Sequence, residues 1–282
     1  MGTPDFAVAS LKAIVEAGYN LVGVITAPDR PAGRGQQLKK SEVKVYAESQ
    51  QLTVLQPTNL KNVEFLAALK ALKAELQVVV AFRMLPEVVW DMPILGSINL
   101  HGSLLPNYRG AAPIHWAVIN GEKETGVSTF FLKHQIDTGN IIGQASLPIG
   151  ENDTTGEVYH ALMHLGADLL LKTLKSIDEE SYKEMPQDLS KVAKHAPKIF
   201  KEDCEINWNK SAQDIHNMVR GLNPFPTAFT SIGGKNIKIN TTRIYALDLL
   251  LSPGEAKVIE KKLLVGTGTN PIEIIGLQME GK

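Results

Sequence analysis

LQVVVAF, residues 76–82, is a short run with almost no polar side. Seven residues rich in β-branched valine suit a strand better than a helix. A strand that is apolar on both faces has to be covered on both, which is the signature of a parallel sheet between helices. The chain on either side agrees. Residues 41–51 and 61–73 carry helical patterns, and NLVGVIT (20–26) is another short strand of branched residues. DFAVASLKAIVEA (5–17) reads as a helix whose apolar face is Phe6, Ala9, Ala13 and Ala17, widened by Leu11, Ile14 and Val15, with Gly18 closing it.

Downstream, SINLH (97–101) is the next strand, and AAPIHWAVING (111–121) is a helix with Pro113 in its first turn and Gly121 past its end. GVSTFFL (126–132) and NIIGQASLPI (140–149) are strands, and Thr154 with Glu157 makes a capping box for a helix reaching about residue 177. The alternation predicts an α/β fold, a Rossmann-like and mostly parallel sheet over residues 1–182. The segment 183–203 is polar, holds two prolines and shows no sustained period, so it reads as a linker. Beyond it come a short helix near 211–221 and the strand-like TAFTSI and KNIKINTTRI, joined at Gly233-Gly234 as in a hairpin. Residues 204–282 are therefore expected to form a small OB-like β-barrel. MGTPDF at the start reads as the turn into the first helix, so the first strand of the sheet is expected to be missing. The second domain is expected to be truncated after IIGLQMEGK.

The chain has 282 residues, 44% of them hydrophobic and 21% charged, enough for two domains with real cores. No apolar run approaches the length of a membrane span. A single cysteine, Cys204, rules out an internal disulfide and suits a reducing compartment. The net charge of −1 conceals an asymmetry: residues 1–182 carry 15 basic against 19 acidic residues, and residues 183–282 carry 14 against 11. A basic second half is compatible with a polyanionic partner.

The chemistry is concentrated in INLHGSLLPNYRGAAP, residues 98–113. On a strand, positions two apart share a face, so Asn99 and His101 project together at the carboxyl end of a strand. An amide donor beside an imidazole can stabilise an oxyanion formed at an attacked carbonyl, and imidazole moves protons near neutral pH. Asp137, in the glycine-bounded turn IDTGN between two strands, is the candidate carboxylate to orient that imidazole or assist proton removal. Alone, an Asn-x-His pair on a strand is more often structural than catalytic. The neighbouring SLLP turn and the small residues of RGAAP give it force, because they admit a bulky ligand. No G-x-S-x-G elbow or G-x-G-x-x-G fingerprint is present, which removes serine hydrolases and leaves nicotinamide oxidoreductases remote. His160 and His164 have metal-pair spacing but lack an obvious third ligand.

The segment NLHGSLLPNYRGAAPIHWAVINGEKETGVSTFFLKHQIDTGNII resembles the catalytic core of the folate-dependent formyltransferases. The resemblance extends through MGTPDFAV, APDRPAGRG and VRGLNPFP over nearly the whole chain. It implies that Asn99, His101 and Asp137 act on the formyl group of 10-formyltetrahydrofolate, a co-substrate, without a metal. It also implies that Ser103, Leu104, Leu105 and Pro106 belong to the folate site. The loop PDRPAGRGQQLKK (28–40), read as flexible, has the charge and exposed backbone for phosphate contact. With the barrel, it matches the branch of the family that formylates the α-amine of initiator methionyl-tRNA for translation initiation. Arg34 is then the preferred tRNA contact, with Arg30, Lys39 and Lys40 beside it and Lys194, Lys198, Lys201 and Arg220 on the barrel side. The same resemblance implies a cytoplasmic monomer with no membrane partner. Two positions depart from the family pattern: AFRMLP (81–86) replaces AYGQILP, and Asn140 ends DTGN where DTGD is usual. Rival readings are a formyltransferase acting on an amino sugar or glycinamide ribonucleotide, and a non-catalytic, truncated RNA-binding relative.

Overall fold

A computed structural model of the chain describes residues 1–32, 37–188, 190, 194–245 and 250–279. In chain order, the elements up to the catalytic candidates are α1 (Asp5–Glu16), β1 (Val24–Ile25), β2 (Arg30–Ala32), β3 (Gln37–Lys39), α2 (Glu42–Ser49), β4 (Val54–Leu55), α3 (Val63–Ala71), β5 (Gln77–Val80), α4 (Glu87–Trp90) and β6 (Ser97–His101). They are followed by β7 (Arg109–Gly110), α5 (Pro113–Ile119), β8 (Glu124–Phe131), β9 (Ile141–Pro148), α6 (Thr155–Asp178) and β10 (His195–Ala196). The last part holds α7 (Ala212–Gly221), β11 (Ala228–Ile232), β12 (Lys235–Ile244), β13 (Ala256–Ile259), β14 (Lys262–Val265) and β15 (Ile272–Met279). The chain packs as two compact units. One comprises Met1–Asn107, Gly126–Ser146 and His160–Ala193; the other comprises Tyr108–Thr125, Leu147–Tyr159 and Lys194–Lys282.

In the first unit β5 and β6 pair in parallel, β8 joins β6 antiparallel, and β9 lies beyond it. The strand expected over 20–26 is paired only at Val24 and Ile25, in parallel with β4. Met1 and Gly2 form the rung between the two halves. Gly2 N–H donates to Ile25 O at 3.0 Å, and Val80 N–H donates to Met1 O at 2.9 Å. Beside that rung the structure has a cavity of about 520 Å³. Apolar side chains such as Leu11, Ile14, Leu69 and Leu174 line it. The buried face of α1 is Phe6, Ala7, Ser10, Leu11 and Ile14. That face is rotated from the expected one, leaving Ala17 exposed, because the larger side chains turn toward the sheet. Helix starts follow their capping residues: Ser41 and Asn62 accept from Lys44 N–H and Phe65 N–H at 3.1 and 3.0 Å.

In the second unit five antiparallel strands run in the order β11-β12-β15-β14-β13. Gly233 and Gly234, at φ +58° and +76°, make the two-residue turn of the β11–β12 hairpin. Register shifts between Ile239 and Thr242 bend the long β12 as it pairs with β15, giving the curled, OB-like sheet. α7 covers its apolar face through Ile215, Val219 and Leu222, packed with Ile237, Ile239, Ile272 and Ile274. The capping box expected before α6 forms: Thr154 N–H donates to Glu157 Oε2 at 2.8 Å, and Glu157 N–H donates back to Thr154 Oγ1 at 3.3 Å. Among the described residues, no helix is long and apolar enough to cross a membrane.

Candidate active site

Strand alternation decides where the polar residues of β6 go. Ile98 and Leu100 turn into the core, at 0% and 3% exposure. Asn99 and His101 share the opposite face. Their register partners across to β8 are Phe130 and Ser128. His101 is buried and Asn99 half-buried, so the amide sits nearer the surface than the imidazole. Asp137 arrives from the turn between β8 and β9, at φ +52°, and is also buried. His101 Nδ1 and Asp137 Oδ2 stand 3.9 Å apart. This is within ion-pair reach of a protonated imidazole and longer than a direct hydrogen bond. The structure thus brings His101 and Asp137 together and sets Asn99 on the same strand face as His101. Such a set offers a donor for developing oxyanion charge, a proton carrier and a carboxylate to support it.

The turn after β6 divides into an inner and an outer pair. Ser103 and Leu105 are buried, at 0% and 3% exposure, and Leu105 packs with Phe130 and Ile141. Ser103 Oγ donates to Asn107 O at 2.7 Å. Leu104 and Pro106 are half-buried. Leu104 and Pro106 are the more exposed members of the turn, while Ser103 and Leu105 hold its shape. Beneath them lies a residue the sequence reading passed over. Ser128 Oγ accepts from Leu105 N–H at 3.1 Å, donates to Ser103 O at 2.7 Å and accepts from Gln144 Nε2 at 2.8 Å. Gln144 Nε2 also donates to Leu105 O at 3.0 Å. The available signal was a serine in the middle of a strand, next to Val127 and two positions from Phe130, since a buried hydroxyl there needs partners. Gly126 is required by close approach: a Cβ would lie 2.2 Å from Ala145 O and 2.5 Å from Leu104 Cδ2.

Both departures from the family pattern have partners. Arg83, exposed, donates to Thr58 O at 2.9 Å and to Pro57 O, so its guanidinium is tied to that loop. Asn140 donates to Glu184 Oε2 at 2.7 Å and accepts from Lys133 Nζ at 3.1 Å.

The segment read as a flexible basic loop contains two short strands. β2 and β3 form an antiparallel ladder in which Arg30 faces Lys39. Asp29 anchors its base, accepting from Lys44 Nζ at 2.6 Å and from Gln56 Nε2 at 2.8 Å. These two hydrogen bonds hold its carboxyl below the ordinary range. Arg30 is exposed. Lys39 and Lys40 reach Glu42 and Glu48 at 3.1 and 2.7 Å. Arg34 lies outside the described residues. In the second unit Lys198 and Lys201 are exposed and stand over the rings of Phe200 and Phe229 at 5.3 and 6.0 Å. Lys194 pairs with Glu122. Arg220 corrects the sequence reading. It is 5% exposed, with Nε donating to Asn217 Oδ1 at 2.9 Å and one terminal nitrogen donating to Asp153 O and Gly150 O at 3.0 and 3.2 Å. A side chain so enclosed ties a loop to α7 and presents nothing to a nucleic acid.

Two family models match this chain: formyl transferase over residues 1–174, and formyl transferase, C-terminal domain, over residues 198–282. The chain belongs to the formyl transferase family. It is 50% identical to a methionyl-tRNA formyltransferase of Bacteroides fragilis across all of this chain and 90% of that protein. It is 48% identical to one of Flavobacterium johnsoniae across all of this chain and 91% of that protein. Among solved structures, the N-formyltransferase of Helicobacter canadensis, bound to folinic acid and dTDP-3-aminofucose, superposes with a TM-score of 0.70. That match covers 99% of this chain and 97% of the other at 23% identity, and it establishes the shared fold.

Proposed function

We propose that this enzyme transfers the formyl group of 10-formyltetrahydrofolate to the α-amine of methionyl-tRNA, supplying the initiator for translation. The observation that carries the reading is the placement of Asn99, His101 and Asp137 about one strand end, in a chain half-identical over its full length to methionyl-tRNA formyltransferases. The amide of Asn99 and the protonated imidazole of His101 donate toward the formyl oxygen, where negative charge develops as the amine nitrogen attacks the formyl carbon. Asp137 supports the imidazolium and assists removal of the amine proton. The bond from the formyl carbon to the folate nitrogen then breaks, and that nitrogen takes a proton. No metal enters this scheme.

The folate is held against Leu104 and Pro106, the half-buried members of the turn, whose shape Ser103 and Leu105 fix from below. Arg30 and Arg34 serve the acceptor end of the tRNA with Lys39 and Lys40 at the hairpin base, and Lys198 and Lys201 serve it on the barrel side. The reading places the enzyme in the cytoplasm, working as a monomer. Amino-sugar acceptors are the rival substrates, and the identity of 50% over the whole chain to a methionyl-tRNA formyltransferase, against 23% to the amino-sugar enzyme, speaks against them.

The test is transfer of labelled formyl from 10-formyltetrahydrofolate to methionine-charged initiator tRNA, beside a dTDP-amino sugar, for the native chain and His101→Ala. Transfer to the tRNA alone, lost by orders of magnitude in His101→Ala, is expected. Transfer to the sugar in its place, or an undiminished variant, would overturn the reading.

A further inference from the structure

Asp137 sits in an unfavourable backbone region for a side chain with a Cβ, at φ +52°. Such a conformation persists only where its surroundings hold it. Two sides of the structure do so. On one, Gly139 lies so close to β8 that a Cβ there would stand 1.6 Å from Phe131 O. On the other, residues 184–187 run along the turn. Met185 and Ile141 exchange two backbone hydrogen bonds, each 2.8 Å. Glu184 accepts from Asn140, and Gln187 reaches into the turn itself. Its single amide nitrogen donates both hydrogens, to Asp137 O at 2.9 Å and to Gly139 O at 2.7 Å. Gln187 is 9% exposed, so these carbonyls would find no ready water in its place.

A primary amide suits this position. It offers two N–H groups from one atom and binds both carbonyls without placing charge beside the carboxylate of Asp137. A glutamate has the same shape and cannot donate when ionised. A methionine fills the same length and offers no donor.

We infer that Gln187 is a positioning residue for the transfer reaction: by clamping the carbonyls of Asp137 and Gly139 it fixes the Asp137 carboxylate at its distance from His101. The inference rests on Asp137 being a functional carboxylate. Its effect should be on turnover and not on substrate binding, because Gln187 touches the turn from behind. Displacement of a catalytic group by about 1 Å can cost about a hundredfold in rate.

The experiment is a cycle of Gln187→Met, Gln187→Glu and Asp137→Asn, alone and combined. It is read as kcat and as KM for 10-formyltetrahydrofolate and methionyl-tRNA, with circular dichroism on every sample. Both Gln187 variants are expected to lose about 10- to 100-fold in kcat with KM within about twofold. In the Asp137→Asn background, Gln187→Met should add less than about twofold, since the group it positions is already disabled. Three results would overturn the proposal: an unchanged kcat in both Gln187 variants, a loss that multiplies in full with that of Asp137→Asn, or failure of both variants to fold. The last would mean that Gln187 holds the domain and not this turn. Full activity in Asp137→Asn would sink the reading of Asp137 itself, a result distinct from the other three.

Discussion

Removing the hydroxyl of Ser128 should loosen the turn that carries Leu104 and Pro106 without touching any group that meets substrate. In Ser128→Ala the N–H of Leu105 loses its acceptor, the carbonyl of Ser103 loses a donor, and Gln144 retains only Leu105 O. Ser128 and Leu105 are 0% and 3% exposed, so water does not readily replace the lost partner. An orphaned buried N–H costs about 1–3 kcal/mol and a lost ordinary hydrogen bond about 1 kcal/mol, which sets the expected loss on the order of 2–4 kcal/mol. For a domain of this size each kcal/mol lowers Tm by roughly 2–4 °C, so the melt should fall by about 5–15 °C. Differential scanning calorimetry checks this, and titration calorimetry with folinic acid measures the ligand side. Weaker folate binding is expected, because the loosened turn must be ordered again when the ligand binds. A variant that melts within about 1 °C of the native protein would refute the reasoning about Ser128. A lowered Tm with unchanged folate affinity would separate the turn's stability from its role in binding.

Three further outcomes concern the second unit. His216 is buried, with Nδ1 3.0 Å from Thr242 Oγ1 and Nε2 3.3 Å from Glu151 O, and its pKa is pushed below the ordinary 6.5 first by burial, with Arg220 adding to the effect. The unfolded chain therefore takes up the proton at a higher pH than the folded one, so this contribution is present above about pH 6.5 and lost as the pH falls below it. His216→Gln should flatten that part of the curve of stability against pH, measured by urea unfolding; an unchanged slope would contradict the assignment. Arg220→Ala should destabilise the second unit by on the order of 3 kcal/mol, leaving its carbonyl partners unpaired, while tRNA affinity measured well below the melt stays within about twofold. Lys198→Ala and Lys201→Ala should instead leave Tm nearly fixed and each reduce the slope of log affinity against log salt by about one; the reverse pattern would return Arg220 to the RNA surface.

What could be read from the residues divides along a physical line. Elements set by local periodicity were legible: the apolar run at 76–82, the capping box at Thr154 and Glu157, the two-glycine hairpin and the pairing of Asn99 with His101 all depend on neighbours a few positions apart. The supporting groups were not. Ser128, Gln144 and Gln187 meet residues 16 to 50 positions away, and a polar side chain announces nothing about which distant carbonyl it will find. Arg220 failed for the same reason in the opposite direction: its charge suggested a solvent-facing contact, and only the fold encloses it against Gly150 and Asp153. The buried face of α1 differs from the expected one at its alanines, because alanine contributes little to any face and the larger Phe6, Leu11 and Ile14 decide the helix rotation. The same logic bears on the reactive groups. Asn99 and His101 could be found because strand geometry alone forces them onto one face, whereas the position of Asp137 relative to His101 depends on a strained turn gripped from two sides. A substitution on the strand therefore tests the chemistry, and a substitution at Gln187 tests the grip.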